Sequence, residues 1–427
     1  MGEADRISSL PADVIVSILS RLPLKDAVRT SALARSWRHL WTFLPGLRLG
    51  WLGDPLGDTS ARPVASSWIE RIHHVVSSLR GPLLHFALAH RFSSDQFALL
   101  QRLLDLLLQK GPVEKLRLSS LFERGVIHLP SFHSLKELQL HRCRIVLPAD
   151  FRGFDRLSSL TLRSVQISND HLHLLINLSN NLTTFKATNF VALGDQPFSI
   201  KLNLPLLRYL EFELDKFVER VEVSAPCLEQ ATIRSYAYCR SKEFALVNLV
   251  LVTSVVMVSS LYLDHDVLKS LSFAALPSNF TFSRLTCLEL FLNARTTDKR
   301  KCDTFIWLLQ SMPLLKVLNI ELNDYDYSIV TDSVDILMRE LLLKKHNGIS
   351  CLDKTLKCVR ISMASLNSVM TVIALVKFLL QNARVLELMK VAYWTGPEVD
   401  PSMLEVLQNA KVTASSKAKV VITREWM

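Results

Sequence analysis

One short apolar motif recurs along most of the chain. Its form is apolar, two residues, apolar, one residue, apolar, as in "LKELQL" at residues 135–140. Copies begin at residues 83, 113, 135, 157, 182, 207, 228, 246, 268, 285, 315, 356 and 383, and most steps are 17 to 30 residues long. A motif repeated at this spacing marks stacked structural units that bury one continuous core. The chain is therefore predicted to fold as a repeat protein.

The motif and its spacing are typical of leucine-rich repeats. They predict an α/β fold in which an irregular solenoid of parallel strands and helices occupies residues 81–345. An Asn or Cys follows the strand in three copies, at Cys143, Asn293 and Asn323, where a side chain can bond the backbone as the chain turns. We therefore interpret Cys143 as a structural residue rather than a reactive thiol.

Successive side chains of a strand point alternately into the core and out of the sheet. The outward side chains of the repeats form the face on which a target would lie, although plain solvated surface is the alternative for each of them singly. No pattern among them identifies which residues would contact the target. The candidate outward positions are Lys136, Glu137, Gln139, Ser159, Thr161, Arg208, Glu211, Thr286, Glu289, Lys316 and Asn319.

The segment "LPADVIVSILSRLP" at residues 10–23 is predicted to be a helix that is apolar on too many sides. Val16 lies outside its main apolar stripe, and Pro23 is expected to stop the helix. A second apolar face of this helix would need something to cover it. The main stripe consists of Val14, Ile15, Ile18, Leu19 and Leu22.

Two further short helices are predicted at residues 24–34 and 36–44. The first is expected to turn Ala27, Val28 and Ala32 inward. Three short helices in about forty residues bury too little area to be stable alone. Their surplus apolar surface therefore predicts a partner protein that completes the core. The third helix is predicted from the helical spacing of Trp37, Leu40, Trp41 and Leu44.

Residues 10–41 also resemble a known family, the F-box. Leu-Pro, an apolar helix ending in Leu-Pro, a Lys-Asp helix and "RSWRHLW" follow in the order of that family. The resemblance implies that residues 5–45 dock on a Skp-family adaptor and, through the adaptor, on the cullin of an SCF ubiquitin ligase. It implies that the adaptor joint or its support is formed by Leu10, Pro11, Val14, Ile18, Leu19, Leu22, Pro23, Val28, Trp37, Leu40 and Trp41. The alternative, that a residue only forms the core of the helices, is equally open for Trp37 and Leu33.

The rest of the chain is divided by composition and by a second resemblance. Glycines crowd residues 46–57, so residues 46–80 are interpreted as a linker followed by a helix. The segment from Cys351 to Val391 resembles the FBD domain of plant F-box proteins, with Leu-Lys-x-Val-x-Ile followed by a helix. We expect residues 346–427 to be a strand, helix and strand unit that caps the solenoid. This resemblance implies family membership and no chemistry.

One charge-free segment, Phe244 to Leu263, has about the length of a membrane span. Its many valines favour strands, so we interpret it as buried repeat strands, with "LVNLVL" and "LKSLSF" as two successive copies of the motif. No membrane association is predicted. The seven scattered cysteines form no paired motif, which favours a reduced protein of the nucleus or cytoplasm.

No motif of a hydrolase, a phosphate-binding loop or a metal site is present in the sequence. His171 and His173 would align as ligands on a strand, but no third ligand stands near them, so we predict no metal and no cofactor. The net charge of +10 is modest for 427 residues and its Lys and Arg are dispersed. A nucleic-acid-binding solenoid, which needs clustered cations and aromatics, is therefore disfavoured.

These features together predict the substrate-recognition subunit of an SCF-type ubiquitin ligase, which is not itself an enzyme. The F-box would bind the adaptor and the repeat face would bind a target protein, whose identity the sequence leaves open. The alternative is a repeat scaffold or ligand sensor that binds the adaptor without promoting ubiquitination. A small-molecule co-ligand in the solenoid is a further open possibility.

Overall fold

The computed structural model describes residues 9–50, 67–90, 96–120, 126–189, 191–193, 198–214, 218–235, 242–293, 299–323, 349–363, 369–394 and 418–425. The chain divides into two compact units, Met1–Gln196 and Pro197–Met427. The parallel strands and intervening helices of both units confirm the predicted α/β class.

The first unit begins with two short α-helices, α1 (Ala12–Leu19) and α2 (Leu24–Arg29). A proline precedes each helix with a φ of −54°, a value suited to entering a helix without donating a hydrogen bond. The predicted third α-helix is wrong, because three 3₁₀ helices follow instead, at Thr30–Ala32, Arg35–Trp37 and Leu40–Phe43. Ala27 is buried as predicted, whereas Val28 and Ala32 are exposed, which corrects their predicted inward orientation.

Ten strands are described in the first unit. They are β1 (Gly46–Leu49), β2 (His85–His90), β3 (Lys115–Ser120), β4 (Val126–His128), β5 (Glu137–His141), β6 (Arg144–Val146), β7 (Ser159–Arg163), β8 (Gln166–Ser168), β9 (Thr184–Thr188) and β10 (Val191–Leu193). A large parallel sheet has the order β1-β2-β3-β5-β7-β9, and a small parallel sheet has the order β10-β8-β6-β4. The small sheet was not predicted, because three-residue strands are too short to show a period.

The register of the large sheet explains the recurring motif. The second apolar position of the motif falls in one row across all six strands, and every member of that row is buried. Since each repeat adds one strand at the same register, the apolar side chains stack into a continuous core. The row consists of Leu47, Phe86, Leu116, Leu138, Leu160 and Phe185.

Strand β1 lies inside the segment predicted to be a linker. Its residues follow the same motif in "LPGLRL", a copy that starts at Leu44. Gly50 ends the strand with a φ of +72°, and a Cβ there would lie 1.9 Å from the carbonyl oxygen of Ala89. Gly46 therefore lies within a repeat strand, and Gly50 makes the tight turn after it. Residues 51–66 of the predicted linker lie outside the described residues.

Three helices complete the first unit, α3 (Ser67–Ser78), α4 (Phe97–Gln109) and α5 (Asn169–Asn177). Helix α3 is the helix predicted after the linker. Trp68 of this helix stacks on His90 at the end of β2, with ring centroids 4.3 Å apart. Burial lowers the pKa of His90 to about 4, so the imidazole is neutral at physiological pH.

Ten strands and five helices are described in the second unit. The strands are β11 (Phe198–Asn203), β12 (Tyr209–Leu214), β13 (Val218–Ser224), β14 (Gln230–Ser235), β15 (Ser260–Leu263), β16 (Cys287–Asn293), β17 (Val317–Asn323), β18 (Cys358–Met363), β19 (Leu388–Trp394) and β20 (Lys419–Glu425). The helices are α6 (Lys242–Ser254), α7 (His265–Leu271), α8 (Lys299–Gln310), α9 (Ser350–Lys354) and α10 (Val369–Asn382). Strands β12 and β14 to β20 form a parallel sheet in chain order, and β11 pairs with β13.

Two copies of the motif were assigned to strands wrongly. "LVNLVL" lies in α6 and "LKSLSF" begins in α7, because leucines three residues apart also suit one side of a helix. The strand of this repeat is β15, whose "VSSLYL" matches the same motif from Val258. The last copy is displaced by three residues, since β19 begins at Leu388.

The C-terminal segment has the predicted strand, helix and strand order in β18, α10 and β19. Helix α10 is buried on nearly every side, from Thr371 to Leu380 with Lys377 half-buried, which explains its lack of an amphipathic pattern. Strand β20 then pairs in parallel with β19 as the closing strand. In the described parts of the chain, every helix is too short or too polar to cross a bilayer.

Candidate protein-binding surfaces

Helix α1 divides the predicted apolar stripe into two faces. Ile15 and Leu19 are buried, whereas Val14, Ile18 and Leu22 are 40%, 42% and 41% exposed. The three exposed residues follow one another at intervals of four, so they share one side of the helix and of the turn after it. The second apolar face predicted for this helix is therefore the exposed half of its main apolar stripe. Val16, which was expected to mark that face, is half-buried.

Other large apolar side chains near α1 are exposed as well. Leu33, between two 3₁₀ helices, is 74% exposed. Seven of the fourteen large hydrophobic residues that are exposed in the described chain fall within residues 10–43, and such a concentration marks an interaction site. We call these seven the exposed apolar set: Leu10, Val14, Ile18, Leu22, Val28, Leu33 and Phe43.

The residues predicted to form the adaptor joint fall into three groups. Leu19 and Trp37 are buried, so they lie beneath the surface of the free chain. Leu40 and Trp41 are half-buried. The remaining seven are exposed: Leu10, Pro11, Val14, Ile18, Leu22, Pro23 and Val28.

Sequence reasoning missed Phe43 as a candidate for the joint and left Leu33 open between the joint and the core of the helices. Both lie in or beside 3₁₀ helices, where a period of 3.6 residues does not predict orientation. The usable signal for Leu33 was its position between Ala32 and Ala34, since small neighbours cannot cover it.

Exposed basic residues lie in the same segment of the chain as this apolar set, and we call them the basic rim. Arg29 forms an exposed ion pair with Asp26, with 3.5 Å between Nη1 and Oδ1. Arg21, Arg35 and Arg38 are also exposed. A basic rim around an apolar centre suits an acidic partner, because rim charges mainly accelerate encounter while the centre supplies affinity.

The outward faces of the large sheets form a second candidate surface. None of the eleven predicted outward residues is buried, which confirms the alternation. Neighbouring strands join many of them in ion pairs. Lys136 lies 2.7 Å from Glu114 and Lys115 lies 3.4 Å from Glu137 in the first unit. Whether the face contacts a target remains a prediction.

The sheet of the second unit carries an acidic group at the ends of β14 and β15. Asp264 accepts hydrogen bonds from the backbone N–H groups of Val267 and Ser235, at 2.9 and 3.0 Å. The bond from Val267 makes Asp264 the N-cap of α7. Burial raises the pKa of the Asp264 carboxyl to about 7. Arg234 lies 5.5 Å from the ring centre of Tyr262 and 3.2 Å from Glu211.

Two features that suggest chemistry have structural explanations. His171 and His173 lie on α5 and not on a strand, so the alignment proposed for metal ligands does not occur. The Oγ of Ser119 lies 3.2 Å from Nδ1 of His141, as in a nucleophile and its base. Burial is the main cause that lowers the pKa of His141, and the charged groups that lower it further are cations. A catalytic base is instead oriented by an anion.

The thiols and ligand clusters give the same result. Burial raises the pKa of Cys143 to about 12, which confirms that it is a structural residue. Across the described ranges, no three His, Cys, Asp or Glu side chains form a group that could hold a metal ion.

The fold and these surfaces define a protein-interaction molecule, with an apolar helical module joined to parallel-strand repeats. Family models agree with this architecture. The F-box domain model matches residues 7–48 and the FBD model matches residues 344–391. The model described as "FBD-associated F-box protein At5g56370, LRR repeats" matches residues 100–320, more than half of the chain. The chain therefore belongs to the F-box proteins with leucine-rich repeats and an FBD domain.

Two relatives from Arabidopsis thaliana carry the same combination in their names, and a third carries the F-box and LRR parts of it. The chain is 32% identical to F-box/FBD/LRR-repeat protein At1g13570 over 183 residues, 42% of each chain. It is 30% identical to F-box/FBD/LRR-repeat protein At3g14710 over 220 residues, 48% of this chain and 46% of the relative. It is 26% identical to F-box/LRR-repeat protein At3g26922 over 54% of this chain and 82% of the relative. The chain thus spans less than half the length of the first two relatives.

Proposed function

We propose that this chain is the substrate-recognition subunit of an SCF-type ubiquitin ligase. The observation that carries the proposal is the division of α1, where Val14, Ile18 and Leu22 stand exposed over the buried Ile15 and Leu19. A helix that is held in place on one face and apolar on the other is prepared to bind a partner with little rearrangement.

The exposed apolar set fits the adaptor joint on energetic grounds. Covering one partly exposed aliphatic side chain contributes roughly 1 kcal/mol. Six such side chains, with Leu33 the most exposed, and the aromatic Phe43 supply the apolar surface for the joint. Leu19 and Trp37 support the joint from beneath, while Leu40 and Trp41 lie at its half-buried base.

The boundary between the two binding parts falls at about residue 45. Strand β1 starts at Gly46 and already belongs to the large sheet of the repeats. We therefore assign residues 5–45 to adaptor binding, the repeats that follow to target binding, and residues 346–427 to the FBD unit. Residues 5–8 and 51–66 lie outside the described residues.

The mechanism that follows is positioning rather than chemistry. The F-box would attach the chain to the adaptor and cullin, and the repeats would hold a target within reach of ubiquitin transfer on other subunits. We expect no catalytic residue in this chain, and we expect it in the nucleus or cytoplasm. The modules that it contains are interaction modules.

The test is a reconstituted ubiquitination reaction that needs no known target. The purified chain, adaptor, cullin with its RING subunit, E1, E2, ubiquitin and ATP are mixed, and ubiquitin attached to the chain itself is measured. We expect adaptor-dependent modification, because a receptor held in the complex lies near the transfer site. Stable binding to adaptor and cullin without any modification would replace the receptor by the scaffold or sensor alternative. Failure to bind the adaptor at all would contradict both.

A further inference from the structure

The outward face of the first unit's large sheet is rich in cations. Arg48 of β1, Arg117 of β3 and Lys186 of β9 fall in one register row across that sheet. Arg163 lies at the end of β7, directly beside His141 of β5. Five strand spacings of about 4.8 Å separate β1 from β9, so these cations span about 24 Å. We call Arg48, Arg117, Arg163 and Lys186 the cationic strip.

The carboxylates of this face lie where the strands begin, and Glu137 is two residues before the row that contains Arg117. Glu114 receives a hydrogen bond from Lys136, and Glu137 pairs with Lys115. These pairs balance the charge where the strands begin. Arg48 and Arg163, by contrast, make no ion pair with any carboxylate within the described residues. The charges of Arg48 and Arg163 are therefore not cancelled by an ion pair with the carboxylates of these strands.

One histidine on the same face, His141, registers this positive field. Burial lowers the pKa of His141, and Arg163 and Arg142 lower it further. Burial also lowers the pKa of His85, where the cations Lys115 and Arg48 act against the carboxylates Glu114 and Glu137. Cations that disfavour a further positive charge favour a negative one.

The shape of the face suits an extended chain. Ala87 lies between Arg48 and Arg117 in the register, so a small side chain separates two long ones. Gln139 and Thr161 continue the same row and offer hydrogen-bonding groups. A segment lying across the strands would meet a cation, then polar groups, then a cation again.

Protein rather than nucleic acid is the occupant that this face favours. Single-stranded nucleic acids bind where aromatic side chains offer stacking platforms beside the cations. The outward rows of these six strands contain no Phe, Tyr or Trp. Carboxylates need only charge-assisted hydrogen bonds, which arginine forms in a bidentate manner.

We propose that the outward face of the first unit's large sheet binds an acidic, extended segment of the target protein through the cationic strip. The inference rests on the proposed function, since it names the kind of target that the repeats would select. It predicts that targets carry an exposed run of Asp and Glu.

The test measures binding of a fluorescent peptide of alternating Asp and Glu to the full chain by anisotropy. An Asn and Gln peptide of equal length and a single-stranded oligonucleotide serve as comparison ligands. In the test variant the cationic strip is neutralised by Arg48→Gln, Arg117→Gln, Arg163→Gln and Lys186→Gln. The matched variant removes the same charge from exposed arginines of the same unit that lie outside the strands, by Arg71→Gln, Arg102→Gln, Arg152→Gln and Arg156→Gln.

We expect the test variant to bind the acidic peptide at least about tenfold more weakly, and the matched variant to stay within about twofold of wild type. Equal weakening in both variants would reduce the effect to net charge and overturn the proposal, as would no weakening in either. Tighter, strip-dependent binding of the oligonucleotide would also overturn it.

A variant with only two substitutions controls for misfolding. A second measurement, of adaptor binding, separates this inference from the proposed function. Arg48→Gln with Arg163→Gln leaves the interactions of Arg117 and Lys186 intact and is expected to weaken peptide binding about threefold. No weakening in this folded variant would count against the strip. Adaptor binding is measured on the same samples. Strip-dependent peptide binding without adaptor binding would contradict the ligase role alone.

Discussion

The F-box and the repeat strands differ in what they leave uncovered. The F-box exposes large aliphatic side chains above a buried counterpart, as Ile18 does beside Leu19. The repeat strands bury every leucine of the motif's second position and expose charges, many of them paired across neighbouring strands. Apolar surface left exposed implies a partner that removes it from water, whereas charged surface is stable on its own.

The difference implies two kinds of binding on one chain. Affinity at the F-box would come from buried apolar area, which salt hardly affects. Affinity at the strand face would come from charges, which salt screens, and would serve selection and rate of encounter. The proposed adaptor joint and the proposed target surface would therefore use different residues and different physics.

The most direct test of this comparison shortens two neighbouring side chains of α1 to alanine, one in each of two variants. Leu19→Ala removes a fully buried side chain and should lower the free energy of unfolding of the F-box by about 2–5 kcal/mol. Ile18→Ala, on the exposed face, should lower it by less than about 1 kcal/mol. Hydrogen exchange of peptides within residues 10–45 measures both. Equal loss of protection in the two variants would mean that α1 is not divided into a core face and a free face.

Salt should separate the two surfaces. Raising NaCl from about 50 to about 500 mM should change the Kd for a Skp-family adaptor by less than about threefold, because the joint is apolar. The same change should weaken acidic peptide binding by about tenfold, because the strip acts through charge. Fluorescence anisotropy measures both constants on one protein sample. A strong salt dependence at the adaptor would show that the basic rim and not the apolar set controls the joint.

Lowering the pH should change the stability of the two units in opposite directions. His90 has a folded pKa of about 4, below its ordinary 6.5, so its contribution to the first unit is lost as pH falls from 6.5 towards 4. Asp264 has a folded pKa of about 7, above its ordinary 3.8, so its contribution to the second unit is lost as pH rises from 4 towards 7. Hydrogen exchange, corrected for intrinsic rates, should change by at most about tenfold per pH unit around β2 and β14.

The variant Asp264→Asn tests the second half of this prediction. Asn keeps an oxygen that can begin α7 but cannot ionise. We expect protection around β14 to become independent of pH between about 4 and 7, with β2 unchanged as the internal control. An unchanged pH profile around β14 would remove Asp264 as the cause.

The smallest effect is expected at the paired charges of the strand face. Lys136 and Glu114 are partly exposed, so their ion pair is screened by water. Lys136→Ala should lower the free energy of unfolding by less than about 1 kcal/mol. Denaturant titration of the full chain provides the value. A larger loss would mean that these pairs hold the sheet together.

The repeats could be predicted because one physical cause dominates them. A strand that buries alternate leucines leaves the same pattern each time, and the copies at Leu135, Leu157 and Leu315 all lie at strands in the expected register. The prediction failed in α6 because Leu246, Leu249 and Leu251 fit both a strand and a helix. The unassigned copy at Val258 would have resolved that choice.

The F-box surface could be predicted only in part. The apolar stripe of α1 was evident, but its division into buried and exposed halves depends on which side packs against the 3₁₀ helices that follow. Those 3₁₀ helices carry no period that a sequence shows, so Leu33 was left undecided and Phe43 was missed. The faces of α1 thus follow from tertiary packing rather than from spacing.

The central claim is that the exposed face of α1 is the joint with the adaptor. The chain offers a matched control, because Leu246 and Val250 on α6 are also four residues apart and 53% and 45% exposed. Titration calorimetry would give the Kd of a purified Skp-family adaptor for wild type, for Val14→Ser with Ile18→Ser, and for Leu246→Ser with Val250→Ser. We predict at least about a hundredfold weaker binding for the α1 pair and less than about a twofold change for the α6 pair. Equal affinity of the α1 pair and wild type would contradict the claim.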